Sequence, residues 1–429
     1  MKAVVIGPGR IGCGFAGQLL RASGFDVVFV ARNPVLVDHF NRVRHYRICL
    51  SENEESKEVI VDGIRAVSTA DVGRVAAEIA DADVVATAVG ASNLADVAPL
   101  IAAGLANRTS SVNVLAFENL LHASRRLRAA VARHLPATLD SKHGFCGTVI
   151  HRAVTQRLGD PALDEPLTFQ GDSPATFQVD GANLCPPVPA IHGMIVTDHY
   201  EAWAQRKLYT YGAGHATAAY LGYLKGYHYI HTAVRDPEIR VAVLAAMAEG
   251  QRGLAARFGR RIAGDRKDLL EIIKRFENGA LRDRIVRVGR DPRRKLGTEE
   301  RLVGAARLAL ESGIRPEKLA LATAAALCFS NPADPSCEEL QRIIQAFGVH
   351  AALRRVCGLD SARGLGRLVA EFWGRLASGW HRENLLLSLD RLMWTWTSES
   401  VSNGHGGLSL EPVSDETVLL ARAPRAASA

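Results

Sequence analysis

The sequence predicts an α/β protein, in which an N-terminal Rossmann-type, doubly wound sheet is followed by an all-helical C-terminal domain. Three observations carry that expectation. Short apolar runs alternate with amphipathic stretches through the first half. A glycine-rich turn directly follows the first of those runs. From about residue 193 long helical periodicities replace the strand pattern. Apolar strand runs separated by helices mark a parallel sheet buried on both faces.

The elements follow in order. Residues 2–6 (KAVVI), 26–30 (DVVFV), 83–89 (DVVATAV) and 111–116 (SVNVLA) read as buried strands, with helical patterns at 11–22 and 93–105 between them. Further helices are expected over 198–211, 236–258, 266–276, 298–313, 316–328 and 335–348. Before the last of these Asp334 can cap, Pro335 can take the first helical position, and glutamates follow. Residues 366–398 continue helically and carry Trp373, Trp380, Trp394 and Trp396, and the last thirty residues read as loop and frayed tail. The expected division is a dinucleotide-binding domain over 1–192, a helical substrate domain over 193–365 and an extension over 366–429.

Composition narrows the class. The chain has 429 residues, 48% hydrophobic and 23% charged, as a soluble globular protein does. No apolar run is long enough to span a membrane, and MKAVVIG lacks the layout of a signal peptide, so it reads as a first strand. Seven scattered cysteines without a CxxC pair argue against a disulfide framework or a zinc cluster and for the cytoplasm. A net charge of +7 suits a phosphate-bearing ligand. The arginines are dispersed, with no basic run among stacking aromatics, so a nucleic-acid partner is not expected.

GPGRIGCG at 7–14 follows a strand and opens a helix. Gly7 allows the tight turn, Gly9 the approach of backbone to a pyrophosphate, and Gly12 the close packing of helix on strand. The helix N-terminus offers free N–H groups to the phosphates. The expected cofactor contacts are Gly7, Gly9, Arg10, Ile11 and Gly12 here, Ala31 and Arg32 after the second strand, and Val89 and Gly90 after the third. At the end of VFVARN an NAD enzyme normally carries an acid for the ribose 2′-hydroxyl, but this chain has Ala31 and then Arg32. The missing carboxylate and the added guanidinium favour NADP over NAD. A tyrosine–lysine dyad of the short-chain dehydrogenase type and a GHE-type zinc motif are both missing, and His228 and His231 read better as a solvated or core-edge pair than as metal ligands.

A longer series of stretches is then distinctive. GPGRIGCGF is followed by DVVATAVG (83–90), FENL (117–120), GFCGTVIHR (144–152), IHGMIVTD (191–198), RKLYTYGAGHATAAYLG (206–222), RFENGALRDRIVRVGRDPRRKL (275–296) and CGLD (357–360). In this order they resemble the polyol-specific long-chain dehydrogenases (the mannitol dehydrogenase family), most closely the mannitol-1-phosphate 5-dehydrogenase branch, over nearly all of residues 1–365. The resemblance implies a dehydrogenase or reductase that interconverts a secondary alcohol of a polyol, phosphorylated in that branch, and the corresponding ketone. It places the catalytic lysine on Lys207, its companion histidine on His215, a substrate-contacting asparagine on Asn119, and a substrate-binding basic pair on Arg287 and Lys295. A lysine exchanges a proton near neutral pH when burial or a neighbouring cation lowers its pKa. Helix positions eight apart differ by about 80° and lie about 12 Å apart, so Lys207 and His215 can flank one pocket.

The pattern breaks at three points. Gly212 stands where the family has an asparagine, His151 stands where an acid usually precedes the arginine, and Ala31 replaces the acid of the second strand. Losing a donor to the reacting oxygen costs about 10²–10³ in rate when nothing replaces it. These changes around a retained lysine and histidine suggest a redirected pocket, with His151 either a new donor or proton carrier in it or inert, and a cyclic polyol ketone (a cyclitol phosphate) as an alternative substrate. A non-catalytic NADP(H)-binding sensor is the competing class.

Overall fold

The computed structural model describes residues 1–52, 55–136, 142–163 and 165–378. Among them twelve strands follow in chain order: β1 (Lys2–Ile6), β2 (Asp26–Ala31), β3 (His45–Glu52), β4 (Glu55–Asp62), β5 (Arg65–Ser68), β6 (Val84–Thr87), β7 (Asn113–Ala116), β8 (Gly144–Ile150), β9 (Val154–Leu158), β10 (Thr168–Asp172), β11 (Phe177–Asp180) and β12 (Met194–Thr197). Eight form one sheet with the order β12-β11-β8-β7-β6-β1-β2-β5. Its ladders are parallel except for β8 with β11. β1 sends Ala3 and Val5 into one apolar layer and Val4 and Ile6 into the other, which is why its sequence is apolar without alternation. Strand order reverses between β1 and β6, and a doubly wound sheet opens its ligand crevice at such a point.

A second sheet, with the order β4-β3-β10-β9, was not expected from the sequence. HYRICLSE and ESKEVIVD lack an apolar run because β4 is mostly exposed and β3 buries only some of its side chains. A sheet covered on one face needs few apolar residues, so its signal is weak.

From Tyr200 onward every described element is helical. The helices Pro237–Phe258, Arg266–Glu277, Val303–Glu311 and Glu317–Leu327 sit within the expected spans, give or take a residue. Asp334 caps Pro335–Arg355 by accepting from the Ser336 amide, and the expected end at 348 is a real break, where Gly348 turns to φ 76° before the helix resumes. Strand β12 completes the sheet just past residue 192, and Gly364–Ala377 places Val369 and Phe372 in the helical core. Trp373 lies in this last helix, while Trp380, Trp394, Trp396 and the tail fall outside the described residues. No described helix is long and apolar enough to cross a membrane.

The two halves are joined by polar contacts. Arg275 donates to Asp172 at 2.6 and 2.9 Å, Asn278 Nδ2 to the Ser51 carbonyl at 3.0 Å, and Thr155 Oγ1 to the Leu281 carbonyl at 2.7 Å.

Candidate functional site

The glycine-rich turn sits at the reversal of strand order. Gly7 has φ +97°, and a Cβ there would lie 2.8 Å from the Ala88 carbonyl oxygen at the end of β6. A Cβ on Gly12 would overlap the Gly7 carbonyl oxygen, whereas one on Gly9 would meet nothing within 4 Å. The turn is therefore closed toward the sheet and open at Gly9, the side on which a pyrophosphate has to approach. That geometry fits a dinucleotide. The helix that follows, residues 10–22, begins at this opening and contains a π-helical segment, Gly12–Gly17. Ile11 is half-buried, and Arg10 donates to the Thr155 carbonyl at 3.2 Å. Gly12→Ala is expected to abolish nicotinamide binding, because backbone must move to admit the methyl; a fluorescence titration at wild-type affinity would overturn this.

Val89 and Gly90 close the crevice from the other side. Their loop is anchored by Glu118, a buried residue that sequence reasoning passed over. Its carboxylate accepts from Thr87 Oγ1 at 2.8 Å and from the Val89 amide at 3.0 Å, and burial raises its pKa against those bonds. Its neighbour Asn119 is exposed and makes no hydrogen bond among the described residues. Ala31 is buried at the end of β2, Arg32 is exposed, and Asn33 caps the next helix through the Val35 amide.

Lys207 ends the helix Tyr200–Lys207, and the chain continues as a π-helical segment, Leu208–Gly212, into Ala213–Leu224. The ideal α-helical offset between Lys207 and His215 therefore does not apply. Wide π turns recur at functional sites. Lys207 Nζ makes no hydrogen bond or ion pair among the described residues. Burial, then the guanidiniums of Arg275 and Arg301, bring its pKa down to about 7, with Asp172 opposing. His151 lies close enough to feel Lys207, and burial holds its pKa at about 4. It is thus neutral at pH 7, with Nε2 2.7 Å from Gln178 Oε1, to which it donates. A Cβ on Gly212 would point toward Leu208 and Arg301 at 3.4 and 3.5 Å, ordinary contact distances, so a methyl would fit there.

His215 faces a buried network. Its Nε2 lies 2.9 Å from Asp283 Oδ2, and Arg287 grips the same carboxylate at 2.6 and 2.7 Å. Burial would raise the Asp283 pKa, but Arg287 and His215 outweigh it and hold the group far below the carboxylate range. Burial keeps His215 neutral despite Asp283. A neutral ring that meets a carboxylate through Nε2 carries its proton there and leaves Nδ1 as an acceptor. The ring stacks on Phe276 with centroids 5.0 Å apart and meets the edge of Tyr211 at 5.4 Å. Tyr211 lies beneath the Arg275 guanidinium at 4.8 Å, and its hydroxyl has no partner among the described residues. Lys295 is buried and donates to the Val288 carbonyl. The structure thus gathers Lys207, His151, His215 and Arg287, sets Lys295 behind them, and leaves Asn119 on an exposed loop. Asp172, Arg275 and Asp283 are additions that only spatial proximity reveals.

Comparison with known proteins agrees with this architecture. Residues 1–192 match the mannitol dehydrogenase Rossmann domain and residues 199–370 the mannitol dehydrogenase C-terminal domain. The chain is 36% identical over 385 residues to mannitol-1-phosphate 5-dehydrogenase of Brevibacillus brevis, covering 88% of this chain and 98% of that one. It is likewise 36% identical over 376 residues to the enzyme of that name from an Exiguobacterium species, covering 86% and 96%. Among solved structures it resembles Pseudomonas fluorescens mannitol 2-dehydrogenase in ternary complex with NAD and D-mannitol, with a TM-score of 0.75, 16% identity and coverage of 92% and 94%. At that identity the likeness shows the fold alone. Family-model matches across both halves, with relatives of this similarity along most of their length, establish that the chain belongs to the mannitol dehydrogenase family.

Proposed function

We propose that the chain is a nicotinamide-dependent dehydrogenase that interconverts a secondary alcohol of a polyol phosphate, of the mannitol-1-phosphate kind, and its ketone. One observation carries this reading above the others: Lys207 is an unpartnered amine whose burial and cationic neighbours bring its pKa to about 7. Such a group holds and releases a proton at cellular pH. In oxidation the neutral amine takes the proton of the substrate hydroxyl, and in reduction the ammonium returns it. Bound nicotinamide supplies the hydride chemistry. His215, fixed through Asp283, presents Nδ1 as an acceptor that orients a substrate hydroxyl. Tyr211, whose ring packs on His215, has a hydroxyl without a partner among the described residues, and neutral His151 adds a second acceptor. The departures at Gly212 and His151 are the ground for a second reading, in which the substrate is a cyclic polyol ketone. The test is a reductive screen of ketose phosphates and cyclitol ketones, followed by nicotinamide absorbance. Wild-type protein that turns over none of them would sink the dehydrogenase reading.

The finer cofactor reading is a preference for NADP. The P. fluorescens neighbour was solved with NAD. What favours NADP here is Ala31 in place of an acid and the exposed Arg32 beside it. A charge-assisted bond to a 2′-phosphate contributes about 1.5–3 kcal/mol. Wild-type protein is expected to bind NADPH tighter than NADH by about 10-fold or more, and Arg32→Asp to reverse the order. Equal or tighter binding of NADH by the wild type would return the cofactor to NAD.

A further inference from the structure

An open cleft of about 700 Å³ lies where the glycine-rich turn, β9 and the segments 282–290 and 331–335 meet. Six arginines line it: Arg10, Arg157, Arg282, Arg284, Arg287 and Arg290. The one carboxylate in its wall, Asp334, already accepts from the Asp291 amide at 2.6 Å and the Ser336 amide at 3.1 Å. Of the six, only Arg287 has an ion-pair partner among the described residues, and that partner is Asp283.

We propose that this cleft binds the phosphate end of the substrate, through Arg157, Arg282, Arg284 and Arg290 with Arg10 beneath them. The proposal rests on the dehydrogenase reading above for the identity of the substrate, but the anion site stands on its own geometry.

Several arginines of the helical half just outside the cleft are neutralised. Arg275 pairs with Asp172, Arg293 with Glu339, Arg294 with Asp291 and Glu300, and Arg301 with Glu300. Unpaired guanidiniums that converge on one concavity repel one another until an anion enters. Arg10 records that repulsion: burial, then Arg287, Arg290 and Arg157, lower its pKa to about 10. Arg282 also holds a left-handed backbone, φ 42°, which favours glycine, yet the position carries a long cation. A carboxylate has two oxygens for such forks, whereas a phosphate monoester has three and a double charge, so phosphate suits the cleft better. Nucleic acid does not suit it, because Tyr229 is the one aromatic in its lining. The cleft also connects to the chemistry. Arg287 lines it while gripping the carboxylate that holds His215, so an anion bound here stands one side chain from the reacting end. The substrate-binding basic pair that the resemblance suggests is less available to a phosphate, since Arg287 is paired and Lys295 is buried on a carbonyl.

The cofactor carries phosphates of its own, and Arg10 adjoins their expected place, so the test must separate the two sources. Inorganic phosphate is titrated by calorimetry into wild-type protein, alone and saturated with NADPH, and into an Arg284→Ser/Arg290→Ser variant. Both side chains are exposed, so an unchanged thermal midpoint checks the fold. Phosphate is expected to bind the NADPH-saturated wild type and to bind the variant at least tenfold more weakly. Equal binding by both proteins overturns the proposal. So does loss of phosphate binding on NADPH saturation, which would give the cleft to the cofactor. Tenfold weakening in the variant supports the anion site even when the wild type reduces no ketose phosphate, a result that would sink only the dehydrogenase reading.

Discussion

Lys207→Ala is expected to lower kcat by about 10²–10⁴ while nicotinamide titrations stay at wild-type affinity, because the role proposed for the lysine is to carry the proton and not to hold the cofactor. Oxidation needs the neutral amine, so its kcat/KM rises with pH and levels off above about 7, the pKa to which burial, Arg275 and Arg301 bring the group. Reduction needs the ammonium and shows the opposite slope through the same pH. The stability consequence separates this role from a structural one. A lysine whose pKa is lowered on folding binds fewer protons in the native than in the unfolded state, so it opposes folding below its ordinary pKa of about 10.4. Lys207→Met should therefore melt at the same or a higher temperature than wild type at pH 7 while losing turnover. Lower melting, with the residual activity keeping the wild-type pH profile, would make Lys207 a packing residue and remove the mechanism.

What the sequence reveals here follows the physics of each element. The parallel strands are legible because burial on both faces demands uninterrupted apolar residues, as in KAVVI and DVVFV, and the glycine turn because only glycine meets its contacts. β3, β4 and β10 are not, since a half-covered sheet leaves a sparse apolar pattern. In the site, Lys207 and His215 are legible as a pair in one motif, joined by a helix whose π segment no periodicity predicts. Asp172, Asp283 and Arg275 are charged residues of ordinary appearance. Their meaning comes from burial and from what they face: Asp172 reaches Arg275 from β10, 103 positions away. Asp283 lies within RFENGALRDRIVRVGRDPRRKL, a stretch distinctive in sequence, yet nothing in its spacing points to His215, 68 positions earlier. Gly212 shows the converse. Sequence reveals the lost side chain, and only the structure reveals that its neighbour Tyr211 packs on His215 with a hydroxyl that has no partner among the described residues.

Asp283→Ala is expected to cost about 3–5 kcal/mol at pH 7, the cost of removing one member of a buried ion pair and stranding the other. The loss is large because Asp283 serves two groups, and without it Arg287 keeps a charge and His215 a proton with nowhere to place them. Asp283→Asn keeps an oxygen for His215 Nε2 but leaves Arg287 unneutralised, so it should retain His215 orientation better than it retains stability. The pH dependence has a definite sign. A carboxyl whose pKa is depressed on folding contributes stability that is present above its unfolded pKa of about 3.9 and lost as pH falls toward the native value. The gap in urea midpoint between wild type and Asp283→Ala should hold steady from pH 8 to 5 and narrow below about 4. Arg287→Ala provides the cross-check. Partners in one network couple, so the double variant should lose less stability than the sum of the two single variants by about 0.5–3 kcal/mol. Strict additivity would mean that Asp283 and Arg287 act separately. His215 would then lack the fixed carboxylate that holds its Nε2 proton, and Nδ1 would have no reason to be the acceptor facing substrate.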